Sequence, residues 1–178
     1  MLNEEPQWVA VYVEPRAEKQ VALRLSNQKI ENYLPLVRRL TKWSDRLKMT
    51  EKPLFPGYLF AKITKRDVVR VRDTKGAVFI IGWNRQPAVI PENEIAFVRA
   101  MLAQEREVEV RNENELHKGA RVRIKAGEFQ NLEGTLVSEG DKSKFVLKIA
   151  VLNTCFVTTI DKDLLQVLTP ETMKKTQP

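Results

Sequence analysis

The side chains that could carry out chemistry in this chain are few. There is one histidine, His117, and one cysteine, Cys155. No His/Cys cluster for zinc can form, no Cys/His nucleophilic pair has a second candidate, and no intrachain disulfide is possible. Cys155 reads as a core residue and His117 as part of a linker. Carboxylates are plentiful, but none lies in an apolar run that would tune it as an acid or base. The sequence therefore predicts no catalytic residue, no metal and no cofactor. What remains is the chemistry of contact, carried by aromatic rings and cations.

The rings fall on strand-like alternations. After Gly57, Tyr58, Phe60 and Lys62 alternate with Leu59, Ala61 and Ile63, the period of two expected of a strand. Trp8, Ala10 and Tyr12 alternate in the same way with Val9, Val11 and Val13. Two strands of matching polarity place aliphatic side chains on one sheet face and aromatic ones on the other. The aromatic face is either a partner surface or core beneath a second layer. The cations cluster in RRLTKWSDRLKMTEK, where Arg38, Arg39, Lys42, Arg46, Lys48 and Lys52 outnumber Asp45 and Glu51 around Trp43. This reads as a basic hairpin or arm. It suits a nucleic-acid backbone with one ring for stacking, and equally a solvated hairpin anchored by its tryptophan.

The elements that hold these groups follow in order. A strand over residues 7–13 leads past Pro15 into a helix from Arg16 to about Gln28, with Ala17, Val21 and Leu25 as its apolar stripe beside Ala22. A second strand over 30–36 enters the arm, and the central strand leaves it. Thr64 and Asp67 resemble a capping pair for a short helix through Val71 that ends before Gly76. Residues 77–83 form a strand, 86–90 a short extended piece, and Pro91 opens a helix whose Ile95, Val98 and Leu102 face a core. The order βαββαβ plus one helix predicts an α+β, ferredoxin-like domain with an antiparallel sheet and its helices on one face.

Residues 105–116 hold Glu105, Glu107, Glu109, Glu113 and Glu115 against Arg106 and Arg111, without Gly or Pro, and read as an extended acidic linker. From residue 117 the chain is dense in β signals. Val122 and Ile124 alternate with Arg121, Arg123 and Lys125, and Gly127, Gly134 and Gly140 mark turns, which predicts a small β-barrel. The tail from Thr169 reads as frayed. The expected divisions are thus 1–104, 105–116, 117–168 and 169–178.

At 178 residues, with 43% hydrophobic and 30% charged, the chain suits one large or two small globular domains. No long apolar run opens it, which points to the cytoplasm. The net charge of +7 is lopsided: residues 1–104 carry 18 Lys/Arg against 11 Asp/Glu, and the remainder 12 against 12. The N-terminal part is therefore the one suited to lie beside a polyanion, although ordinary solubility would also account for the excess.

On these motifs the chain resembles the NusG family of transcription elongation factors. Residues 7–104 resemble its N-terminal domain, through Trp8 and LFPGYLFAKI after a basic arm. Residues 117–168 resemble its SH3-like KOW domain, through Gly119, Val122, Ile124, Gly127, Phe129, Leu132 and Gly134. The stretch YLPLVRRLTKWSDRLKMTEKPLFPGYLF is closer to the specialised RfaH and UpxY antiterminators than to housekeeping NusG. The resemblance implies that Tyr12, Tyr58, Phe60 and Phe79 meet the clamp helices of RNA polymerase. It also implies that Lys19, Arg24, Arg38, Lys42, Arg46, Thr74 and Lys75 lie toward the non-template DNA strand. Glu14 stands where RfaH has a lysine, which puts sequence-specific recruitment in question. KOW would bind a second protein, a ribosomal protein or a termination factor. The protein would act as a monomer, away from membranes.

Two further alternatives stand beside this reading. A ribosome-associated or RNA-binding module would need a basic KOW segment, and residues 105–178 balance at zero net charge. The C-terminal segment could also fold as a helical hairpin, as in RfaH. Val146, Ile149, Val151, Thr154, Val157, Thr158, Thr159 and Ile160 are β-branched and favour strands instead, so a barrel, loosely tethered, is expected.

Overall fold

Val9, Val11 and Val13 point to one side of β1 (Gln7–Val13) and are fully buried there. The computed structural model describes residues 2, 4–43, 46–84, 86–112, 119–139 and 142–169, with side chains at all of these except 41–43, 46, 138–139 and 142–143. His117, Gly140 and the tail beyond Thr169 lie outside the described residues. The chain divides into two units, Met1–Ile95 and Ala96–Pro178.

In the first unit, α1 (Glu18–Asn27) lays Val21 and Leu25 on the valine side of β1, with Ala17 and Ala22 beside them. It ends without glycine. Lys29 takes the left-handed conformation at φ 60°, and the N–H groups of Lys29 and Ile30 donate to Ser26 O and Leu25 O, both at 2.9 Å. This closes a Schellman turn that brings Ile30 onto Leu25.

β2 (Glu31–Tyr33) is followed by a long hairpin, β3 (Leu36–Trp43) and β4 (Arg46–Pro53), paired as a two-stranded sheet of their own. Then come β5 (Tyr58–Ile63), α2 (Asp67–Arg72), β6 (Ala77–Ile80), the short β7 (Gly82–Trp83) and β8 (Gln86–Pro87), and β9 (Val89–Ile90). The main sheet is antiparallel in the order β2-β5-β1-β6, with β9 also pairing β1. Leu59, Ala61, Ile63, Val71 and Ile80 complete the core on the valine side. Thr64 and Asp67 do form a pair. The Thr64 N–H and hydroxyl donate to Asp67 Oδ2 at 3.0 and 2.8 Å, but the helix itself starts at Asp67, so Thr64 stands two residues ahead of the N-cap Arg66 rather than at it.

The third helix, α3 (Glu92–Ala103), carries the chain across the division, which falls after Ile95. Ile95 and Val98 are buried as the spacing predicts, and Phe97 and Met101 are buried too.

The second unit is a six-stranded antiparallel sheet. Its members are β10 (Val108–Asn112), β11 (Ala120–Ile124), β12 (Glu133–Glu139), β13 (Lys142–Ile149), β14 (Thr154–Thr158) and β15 (Leu165–Val167), in the order β10-β14-β13-β12-β11-β15. The β-branched run of residues 145–160 is thus mostly strand, as its restricted χ1 rotamers favour. Phe97 of α3 stands against Phe129, Phe145 and Phe156, with ring centroids 5.2, 5.5 and 5.9 Å away. Gly134, expected at a turn, lies within β12. A Cβ there would come within 2.5 Å of the Phe145 ring and 2.6 Å of Val146 O, so glycine serves close packing at this position.

The acidic segment departs from the expected extended linker. Residues 108–112 are strand β10, because Glu109 is neutralised from both sides: Arg111 Nε donates to it at 2.7 Å and Lys144 Nζ at 2.8 Å. The Lys144 hydrogen bond, helped by Arg111, holds the Glu109 carboxyl below its usual range. Residues 113–118 lie outside the described residues.

Candidate protein-binding site

β1 runs between β5 and β6, and Tyr12 near its end is registered with Tyr58 on one side and Phe79 on the other. The Tyr12 ring centroid is 5.3 Å from that of Tyr58 and 5.1 Å from that of Phe79. The register between β1 and β6 shifts just after Tyr12, an irregularity of the kind that re-aims side chains at a sheet edge. Phe79 is 48% exposed, and Tyr12 and Tyr58 are half-buried. Three neighbouring strands thus build one aromatic surface, and ring pairs at these separations add about 1 kcal/mol each to its order.

Phe60 does not belong to that surface. It is fully buried, with the Phe55 ring edge-on at 5.6 Å and Tyr33 stacked at 6.4 Å. Trp8 on the same face is buried as well, beneath the Lys62 ammonium 5.8 Å from its ring. The expectation of one continuous open aromatic face therefore holds only toward the Tyr12 end.

The cationic residues divide in the same way. Lys19 and Arg38 are exposed and share Glu51, at 3.9 and 3.4 Å. Arg24 braces the fold instead, since its Nη1 donates to Lys75 O at 2.7 Å and fixes the loop before β6. Thr74 is buried; its hydroxyl donates to Arg70 O at 2.8 Å and accepts from Gln28 Nε2 at 2.9 Å, so it is held away from solvent. Lys75 is exposed. The side chains of Lys42 and Arg46 lie outside the described residues.

The hairpin has two faces, which its high density of charge conceals in the sequence. Register pairs Leu40 with Met49, and Leu47 lies two residues before Met49 on the same side; the three are 64%, 57% and 67% exposed. Arg39, Lys48 and Lys52 fall on the other side by the same alternation. The signal that could have found these faces is the period of two in LKMTEK, which a reading of the arm as one block of charge passes over.

In the second unit the KOW-like residues are mostly structural. Val122, Ile124 and Leu132 are buried, Gly127 has φ 89°, and a Cβ on Gly119 would come within 2.3 Å of Leu136 O. Phe129 is half-buried at the edge of a cavity of about 260 Å³ that Phe97, Met101, Ile124 and Leu164 also line. Cys155 is buried. Among the described residues no cluster of three or more His, Cys, Asp or Glu could hold a metal ion, and no helix is long and apolar enough to cross a membrane.

The chain is similar to known proteins along most of its length. The NusG protein of Staphylococcus aureus (strain Mu50 / ATCC 700699), a transcription termination/antitermination protein, is 28% identical over 159 residues, 81% of this chain and 85% of the relative. A solved structure described as "Domain interaction in Thermotoga maritima NusG" is similar at 20% identity and a TM-score of 0.49, over 92% of this chain and 98% of that one. One of an MjSpt4:Spt5 complex, conformation A, is similar at 16% identity and a TM-score of 0.30, over 91% and 98%. The family model for NusG, the transcription termination factor nusG, matches residues 6–99, just over half of the chain. The chain therefore belongs to the NusG family.

Proposed function

We propose that this protein is an elongation and antitermination factor of the specialised RfaH/UpxY type. It binds the clamp helices of RNA polymerase through Tyr12, Tyr58 and Phe79, and suppresses pausing or termination by bridging the cleft, with no catalytic step of its own. The observation that carries this reading is the aromatic surface built by three neighbouring strands, with Phe79 48% exposed at its edge. Solvent-facing rings of this kind are the usual anchors of protein interfaces.

In this reading the first unit is a ferredoxin-like N-terminal domain, which the order β2-β5-β1-β6 and the helices packed on the valine side support. The second unit is an SH3-like KOW barrel that recruits another protein, a ribosomal protein or a termination factor. The non-template DNA strand runs beside α1 and the hairpin, held through phosphate charge. The protein works as a cytoplasmic monomer. The RNA-binding alternative is weakened by the pairing of Arg121 and Arg123 with Glu133, at 2.9 and 2.6 Å, which takes up the outward basic row that RNA would need.

The test is the affinity of Tyr12→Ala and Phe79→Ala for a transcription elongation complex. Each substitution should cost about 2 kcal/mol, roughly thirtyfold in Kd, with the fold retained. Parent-like binding by both folded variants would overturn the reading.

A further inference from the structure

Among the described residues, Glu18 is the one Asp, Glu, Lys or Arg side chain that is buried, at 7% exposure. It stands in the first turn of α1, the helix on the aliphatic side of the sheet, and its Oε1 accepts the Gly57 N–H at 2.9 Å. Gly57 is the residue through which the two tyrosines of the aromatic surface are set. It directly precedes Tyr58, and its carbonyl accepts the N–H of Val13, next to Tyr12, at 2.9 Å. It holds φ 82°, and a Cβ added to it would come within 3.2 Å of Tyr12 Cε2. The Gly57 backbone therefore forms the wall against which the Tyr12 ring rests. Glycine makes this conformation accessible without strain but does not select it, because a glycine peptide has more freedom than any other. The hydrogen bond that the Gly57 N–H donates to Glu18 removes that freedom.

We infer that Glu18 is a positioning residue for the aromatic surface. Its carboxyl oxygen fixes the peptide ahead of Tyr58, and so fixes where the Tyr58 and Tyr12 rings meet a partner. The inference rests on the reading of that surface as the polymerase contact. A helix on the aliphatic side of the sheet thereby decides how the two tyrosine rings are presented, because a preorganised anchor binds more tightly than one that must be ordered on contact.

The experiment compares full-length parent, Glu18→Ala, Glu18→Gln and Tyr12→Ala. It reads the exchange of the Gly57 amide, the ring resonances of Tyr12 and Tyr58, and the affinity for an elongation complex assembled on a nucleic-acid scaffold. The Gly57 amide should be protected in the parent. Glu18→Ala should lose that protection, shift both tyrosine rings and weaken binding about tenfold. Glu18→Gln, which keeps an acceptor oxygen, should resemble the parent in all three. An unprotected Gly57 amide in the parent overturns the inference whatever the variants do. So do unmoved ring resonances in Glu18→Ala, or a Gln variant that behaves like Ala. If Tyr12→Ala binds as tightly as the parent, the polymerase reading falls, and the amide and ring resonances alone decide the role of Glu18.

Discussion

Phe97 and Phe129 meet edge to face, with ring centroids 5.2 Å apart and planes at 90°. A residue of the third helix is thereby part of the ring cluster that fills the second unit, where it also touches Phe145 and Phe156. The second unit consequently begins well before residue 117.

A fragment of residues 117–178 lacks both Phe97 and β10, so it should not keep the amide shifts that the full chain shows there. Its shifts at Phe145 and Phe156 should differ, and a fragment of residues 96–178 should restore them. In the full chain Phe97→Ala should destabilise the second unit by about 3–5 kcal/mol, the usual cost of emptying a buried phenylalanine site. Denaturant unfolding followed by residue-resolved NMR would measure this.

Phe60→Ala and Tyr12→Ala should fail in different ways. Phe60 is enclosed by Tyr33 and Phe55, so its truncation should cost about 3–5 kcal/mol of stability. Tyr12 is half-buried, and its truncation should leave the thermal midpoint much nearer the parent's. Thermal unfolding of both variants, beside their polymerase affinities, separates a packing loss from an interface loss.

Salt dependence should come from one side of the hairpin. Arg38 already shares Glu51 with Lys19, whereas Arg39 and Lys48 hold no ion pair among the described residues. If that side lies along DNA, Arg39→Ala/Lys48→Ala should reduce the slope of log affinity against log salt by about 1 to 2, and Arg38→Ala by less. Equal slopes for all three proteins would remove the hairpin from the DNA contact.

Glu94, in the first turn of α3, has its carboxyl pushed up by burial from an ordinary 4.5 to about 7. Between these values the folded protein keeps a proton that the unfolded chain has released. The contribution is therefore full below about pH 4.5 and is lost as pH rises through 7. Partial exposure and the favourable helix N-terminus both reduce it, to on the order of 1 kcal/mol. Glu94→Gln should flatten stability between about pH 4.5 and pH 7, the window these values define. Midpoints of denaturation at the two pH values test it, and an unchanged pH slope would count against the shift.

Much of the first unit was legible because its signals are local. The alternation of Val9, Val11 and Val13 against Trp8, Ala10 and Tyr12 sets the two faces of β1, and Ala17, Val21 and Leu25 set the stripe of α1. What stayed hidden depends on partners distant in sequence. Phe60 reads like Tyr58 until Tyr33 and Phe55 are seen to enclose it. Thr74 reads as a free hydroxyl until Gln28, across 46 residues, is found donating to it. The acidic run containing Glu109 reads as a hydrated tether because Lys144, its neutralising partner, lies 35 residues further on.

The two-sided hairpin also constrains how its gene can change length. Side chains alternate with a period of two, so inserting one residue into either strand would carry everything beyond it to the opposite side. Leu40, Leu47 and Met49 would then exchange places with Arg39, Lys48 and Lys52 along part of the arm. Single-residue indels within β3 or β4 should therefore be purged. Lengthening or trimming should survive mainly as matched steps, two residues in each strand at a time, a pattern open to inspection in any set of related genes.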